Sequence, residues 1–126
     1  MTDKPSADLL TVELETLRDD AVVVRLDGEV DISSAGLLSE QFEAIAGRGA
    51  TSVILDATEV TFMDSTGLHA LVEGKRILHE RGSRIFLVPS QQVRRVLELV
   101  FPDPLFASRL NSIDEALGAI DQARAG

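Results

Sequence analysis

"SVILDATEVTFMDSTGLHALV", residues 52–72, decides the fold. Its opening "SVILDA" reads as a continuous apolar run of strand length, suited to a strand covered on both faces. From Thr66 the pattern turns helical, with Leu68, Leu71, Val72, Lys75 and Leu78 on one face until Gly82 stops it. "RIFLV" at 84–88 supplies another short strand, so strand, helix and strand follow one another as a crossover unit. The segment 60–67 reads as a loop beyond the carboxyl end of a strand, where open α/β sheets gather function.

Upstream, Leu10, Val12 and Leu14 alternate with Thr11, Glu13 and Glu15, and Val22, Val24 and Leu26 resume that period after the turn residues 18–20. Two such runs around a tight turn predict a hairpin. Ser33 or Ser34 then caps a helix with the buried stripe Ala35, Leu38, Phe42 and Ile45, ending near Gly47 and Gly49. Downstream, Pro89 and Ser90 open a third helix carrying Val93, Val96, Leu97 and Val100, stopped by Pro102 and Pro104. A short extended piece is expected around Leu105–Leu110. Ser112 and Glu115 form a capping box for a last helix with Ile113, Ala116, Leu117 and Ile120 inward. The fold class is α/β: one domain, a mixed sheet made of an N-terminal hairpin plus parallel crossovers, and about four helices. Residues 1–8 read as a disordered lead-in, 9–122 as the domain and 123–126 as a tail.

The chain has 126 residues, 12 Lys plus Arg against 21 Asp plus Glu, and a net charge of −9. That balance argues against nucleic acid or an anionic membrane as partner, since each calls for a basic patch. No cysteine is present, which removes disulfides, thiolate metal sites and cysteine nucleophiles. The polar start "MTDKPSAD" has no apolar signal core, so a cytoplasmic protein is expected. Lys75, Arg76, Arg94 and Arg95 read as solvated helix faces.

At the junction, Ser65 offers a hydroxyl where unpaired N–H groups and the positive end of a helix dipole point outward. The plain reading makes Ser65 an N-cap and Asp64 a helix-start carboxylate. Gly67 removes a side chain and leaves room for another molecule to approach. Of Phe62 and Met63, successive extended residues, one should face the core and the other a partner or solvent.

The stretch "VILDATEVTFMDSTGLHALV", 53–72, resembles the signature of the STAS domain, in particular of bacterial anti-sigma factor antagonists. "LDGEVDISSA" at 26–35 and "SIDEALGAI" at 112–120 are similar to the family's second strand with first helix start, and to its last helix. The resemblance implies a phosphorylation switch: an anti-sigma factor serine kinase, bringing its own ATP and Mg²⁺, phosphorylates the serine after the aspartate. Carried over, the acceptor is Ser65, with Thr66 the neighbouring hydroxyl. The partner-binding set is then Asp31, Ser33, Met63, Asp64, Thr66, Gly67, Leu68 and His69. The unmodified protein would bind the kinase and free the sigma factor, a serine phosphatase would reset it, and the chain would hold no cofactor. A non-switching STAS adaptor in a lipid-transport or stress-sensing complex is the alternative.

Other constellations are weaker. Ser65, His69 and Asp64 can be drawn as a hydrolase-like group, but i and i+4 side chains stack along a helix instead of converging on a substrate. His79 has no metal-ligand spacing with His69. Asp27, Glu29 and Asp31 alternate along a strand end without the spacing of a calcium loop.

Overall fold

The computed structural model describes residues 6–7, 9–100 and 110–125. In chain order its elements are β1 (Ser6–Ala7), β2 (Leu10–Arg18), β3 (Ala21–Val30), α1 (Ala35–Arg48), β4 (Ser52–Met63), α2 (Ser65–Glu80), β5 (Arg84–Pro89), α3 (Gln91–Val100) and α4 (Ile113–Ala125). The five strands form one sheet in sequence order. β1, β2 and β3 pair antiparallel, and β3, β4 and β5 pair parallel. This is the expected hairpin feeding crossovers.

The apolar composition of β4 follows from its place between two parallel neighbours. Val53 and Leu55 point into a core shared with Leu38 and Phe42 of α1, Leu71 and Leu78 of α2, and Val93 and Leu97 of α3. Ile54 points to the other face, where Ala116 and Ile120 of α4 close a smaller core with Val23 and Val88. Each fully buried leucine on these helices contributes about 1.5–3 kcal/mol over an exposed one. Of the stripe predicted for α2, Leu68, Leu71, Lys75 and Leu78 are buried and Val72 half-buried. The reading of Lys75 as solvated is corrected: the residue keeps only 6% of its surface, in a position where its methylene stem can pack with the stripe. Arg94, half-buried, donates to the Leu110 carbonyl at 3.3 Å and to Asn111 Oδ1 at 2.8 Å, tying α3 to the approach to α4. Arg76 and Arg95 are exposed, as expected.

Several boundaries differ from the sequence reading. Within the expected lead-in, Ser6 and Ala7 pair with Thr11 and Leu10; the free edge of β2 offers backbone groups that a two-residue strand can satisfy whatever its side chains. α4 runs to Ala125, into the expected tail. The piece predicted at Leu105–Leu110 lies outside the described residues except Leu110, whose N–H donates to the Leu87 carbonyl at 2.9 Å. Pro102 and Pro104 also lie outside them.

The largest difference concerns β4. The strand does not yield to a loop at residue 60 but continues to Met63. Its pairing with β3 shifts between Arg25 and Asp27 and again between Gly28 and Glu29, so Asp27 faces Glu59 and Glu29 faces Phe62. Each shift places an extra residue on β4, as a β-bulge does. Ala57, Val60 and Met63 are consequently buried while Thr58, Glu59, Thr61 and Phe62 face out. Burial every third residue is not a strand period, which is why the sequence reads as a loop there.

Candidate functional site

The site stands at the carboxyl ends of the parallel strands, where β3 turns into α1 and β4 into α2. Val30 and Met63 are register partners, and the Asp64 N–H donates to the Val30 carbonyl at 3.3 Å. The turn 31–34 and the start of α2 therefore lie side by side.

Asp64 is the N-cap of α2: its carboxylate accepts the Gly67 N–H at 2.8 Å. The expected roles are thus exchanged. Asp64 caps, and Ser65, the first residue of the helix, is exposed with no side-chain hydrogen bond among the described residues. Thr66 and His69 are exposed as well, and with Ser65 they line a shallow depression of about 160 Å³. Asp64 is committed to the cap, and no hydrogen bond joins Ser65 to His69 among the described residues. Replacing Asp64 by Ala is expected to cost about 1 kcal/mol of folding stability, the usual worth of a cap, measurable by urea unfolding.

Three of the expected contact residues face inward. Met63 retains 3% of its surface and Leu68 1%. The bulged end of β4 turns Met63 to the core and leaves Phe62 as the exposed member of the pair, 42% accessible. Gly67 is buried too, and the room it leaves is taken by the protein itself: a Cβ there would lie 2.0 Å from the Val30 carbonyl oxygen. Its bareness seats α2 on β3 and gives no access to a visitor.

The neighbouring turn is held by side chains. Asp31 Oδ1 accepts from Ser33 Oγ at 2.6 Å and from the Ser33 N–H at 2.9 Å. These bonds, the hydroxyl first, hold the Asp31 carboxyl below the usual carboxylate range. Ser34, at the N-cap position of α1, makes no side-chain cap bond. Its buried hydroxyl instead donates to the Glu29 carbonyl at 2.9 Å and accepts the Asp31 N–H at 3.0 Å. Ser33 is exposed and Asp31 half-buried, so both stay available at the edge. On the outer flank of α2, Arg76 pairs with Glu73 and Glu80, which lowers the Glu73 carboxyl and raises the guanidinium. Sequence reasoning passed over Ile32 beside this turn, 75% exposed; a lone isoleucine among turn residues was the available signal.

Among the described residues no group of three or more His, Asp or Glu is placed to hold a metal ion, and no helix is long and apolar enough to cross a membrane.

The STAS domain family model matches residues 12–116. An anti-sigma-B factor antagonist of Listeria monocytogenes is 29% identical over 91 residues, covering 71% of this chain and 80% of its own length. The solved structure of an anti-sigma factor antagonist from Mycobacterium paratuberculosis superposes with a TM-score of 0.78 at 26% identity, covering 89% of this chain and 94% of that one. SpoIIAA, an anti-sigma factor antagonist and Bacillus cell fate determinant, is similar in both of its solved forms. The unphosphorylated form gives a TM-score of 0.64 at 28% identity, covering 90% of this chain and 97% of that one. The phosphorylated form gives 0.67 at 26%, covering 86% and 98%.

Proposed function

This chain belongs to the STAS domain family, and from that premise we propose that it is an anti-sigma factor antagonist whose binding is switched by phosphorylation of Ser65. Unmodified, it docks an anti-sigma factor and frees the sigma factor; modified, it lets go. The partner is a serine kinase that brings ATP and Mg²⁺, a serine phosphatase restores the hydroxyl, and the exchange takes place in the cytoplasm. The chain itself contributes a surface and an acceptor, with no catalysis and no resident cofactor.

The observation that carries this reading is the division of labour at the start of α2. With Asp64 holding the cap, the Ser65 hydroxyl is exposed and has no structural duty. A phosphate there adds about −1.5 to −2 charge at neutral pH. The helix N-terminus can accept that charge in the free protein. In a packed interface the same group brings bulk and must be stripped of water. SpoIIAA, named as an antagonist of the same kind, exists in both phosphorylated and unphosphorylated forms.

Incubation with a candidate anti-sigma kinase, ATP and Mg²⁺, followed by intact mass measurement, should show one added phosphate, mapped to Ser65. No gain in mass with any such kinase, alongside a stable complex with another partner, would make the chain a non-switching adaptor.

A further inference from the structure

The exposed large apolar side chains of the described residues are Leu9, Ile32 and Phe62, at 66%, 75% and 42% accessibility. They are far apart in sequence, yet the backbone segments that carry them all meet at one residue, Glu29. Its N–H donates to the Leu9 carbonyl at 3.0 Å, its register partner across the sheet is Phe62, and its carbonyl receives the Ser34 hydroxyl at 2.9 Å from the turn that carries Ile32. The backbones meet tightly. Gly28 has a φ of 121°, and a Cβ on it would stand 1.7 Å from the Leu9 carbonyl oxygen. The cluster occupies the same end of the sheet as Ser65, because β2 begins where β3 ends and Phe62 is three residues before the acceptor.

The charge of this edge is one-sided. The segments that meet there, 9–12, 26–36 and 58–69, contain Asp27, Glu29, Asp31, Glu59 and Asp64 and no lysine or arginine; Arg25, which shares a depression with Asp27 and Glu59, already pairs with Glu13, Glu15 and Asp56. Exposed apolar side chains within a polar rim mark a surface that another protein covers. The sign of the rim selects a partner with a basic border.

We propose that Leu9, Ile32 and Phe62 are the apolar anchors of the complex with the anti-sigma factor, which meets them with an apolar pocket bordered by Lys or Arg. The docking face then extends from the exposed start of α2 across the sheet end to the β1–β2 corner. This rests on the antagonist reading above and names the partner's chemistry. Apolar side chains buried at the centre of an interface carry most of its affinity, while solvated rim charges mainly speed encounter.

The test uses the full chain and the kinase that phosphorylates it, with affinity and association rate measured by biolayer interferometry at several salt concentrations. Ile32→Ser and Phe62→Ser should each weaken binding about tenfold or more, and the double variant about a hundredfold. Their melting temperatures should match the parent's, and the parent's association rate should fall as salt rises. If the parent binds in a phosphorylation-dependent way and both variants bind within twofold of it, the anchor proposal is wrong and the antagonist reading stands. A parent association rate that salt leaves unchanged overturns the basic border. If the free chain is a dimer that Ile32→Ser dissociates, the patch joins two copies of this chain and the proposal is also overturned. If no kinase binds the parent, the antagonist reading itself has failed and takes the anchors with it.

Discussion

The phosphorylated chain is expected to bind its anti-sigma kinase more than a hundredfold less tightly than the unmodified chain, a loss of about 3 kcal/mol. Ser65→Asp should move affinity in the same direction by a smaller factor, since a carboxylate brings one charge and none of the tetrahedral bulk. Ser65→Ala should stay bound however long kinase and ATP are present. The structure makes this variant a clean probe of the switch. The cap on α2 is the Asp64 carboxylate, so removing the Ser65 hydroxyl takes away no bond among the described residues. Folding stability should therefore change by less than about 0.5 kcal/mol, as for an ordinary surface substitution. Calorimetric titration of parent, phosphoprotein and both variants, paired with urea unfolding, separates switching from folding. Equal affinities across all four would rule out Ser65 as the control point. Thr66→Ala should still gain one phosphate; added mass on Ser65→Ala would move the acceptor to Thr66.

Gly67→Ala should be strongly destabilising. The new Cβ would sit 2.0 Å from the Val30 carbonyl oxygen and 2.6 Å from its carbon, both main-chain atoms of a central strand that cannot rotate away. Either α2 lifts from β3 or β3 bends, and the Asp64 N–H to Val30 bond is strained with it. Overpacking typically costs about 1–3 kcal/mol, and contact with main-chain atoms places this case at the upper end. Gly118→Ala in α4 is the matched control: nothing lies within 4 Å of its added Cβ, and alanine should stabilise that helix by up to about 1 kcal/mol. Opposite signs for the two glycines in one denaturation series would confirm that close approach, and not helix propensity, sets the requirement at residue 67. A neutral Gly67→Ala would refute the seating described for α2.

The hairpin, the central apolar strand and the helix stripes were legible because each follows a regular period, two for the half-buried strands and 3.6 for the helices. Val53, Ile54 and Leu55 announced a strand covered on both sides, and α4 on the far face explains why. The end of β4 was not legible. Two extra residues make burial recur at Ala57, Val60 and Met63, a spacing that belongs to no regular element. These two bulges account for the loop expected at residue 60 and for Met63, named for contact, facing the core while Phe62 faces out. The junction is legible, but the plain reading exchanges the roles of Asp64 and Ser65 at the helix start, because either side chain can cap and only the first helical residue decides between them. Gly67 shows the complementary limit. A missing side chain signals that something comes close, and the local pattern does not say whether that neighbour is a visitor or the chain's own backbone. Leu68, named for contact because it follows the acceptor, lies on the predicted inward stripe of its helix and is buried.

The seating of α2 on Val30 has a bearing on how fast such a signal can be erased. With the Val30 carbonyl filling the space beneath Gly67, the packing gives the proposed acceptor end little room to tip or slide on gaining a phosphate. On the phosphorylation reading proposed above, a phosphate on Ser65 would be a tag and not a lever, read only when a second protein tries to sit down. Hydrolysis of that one ester would then restore the original surface without a refolding step.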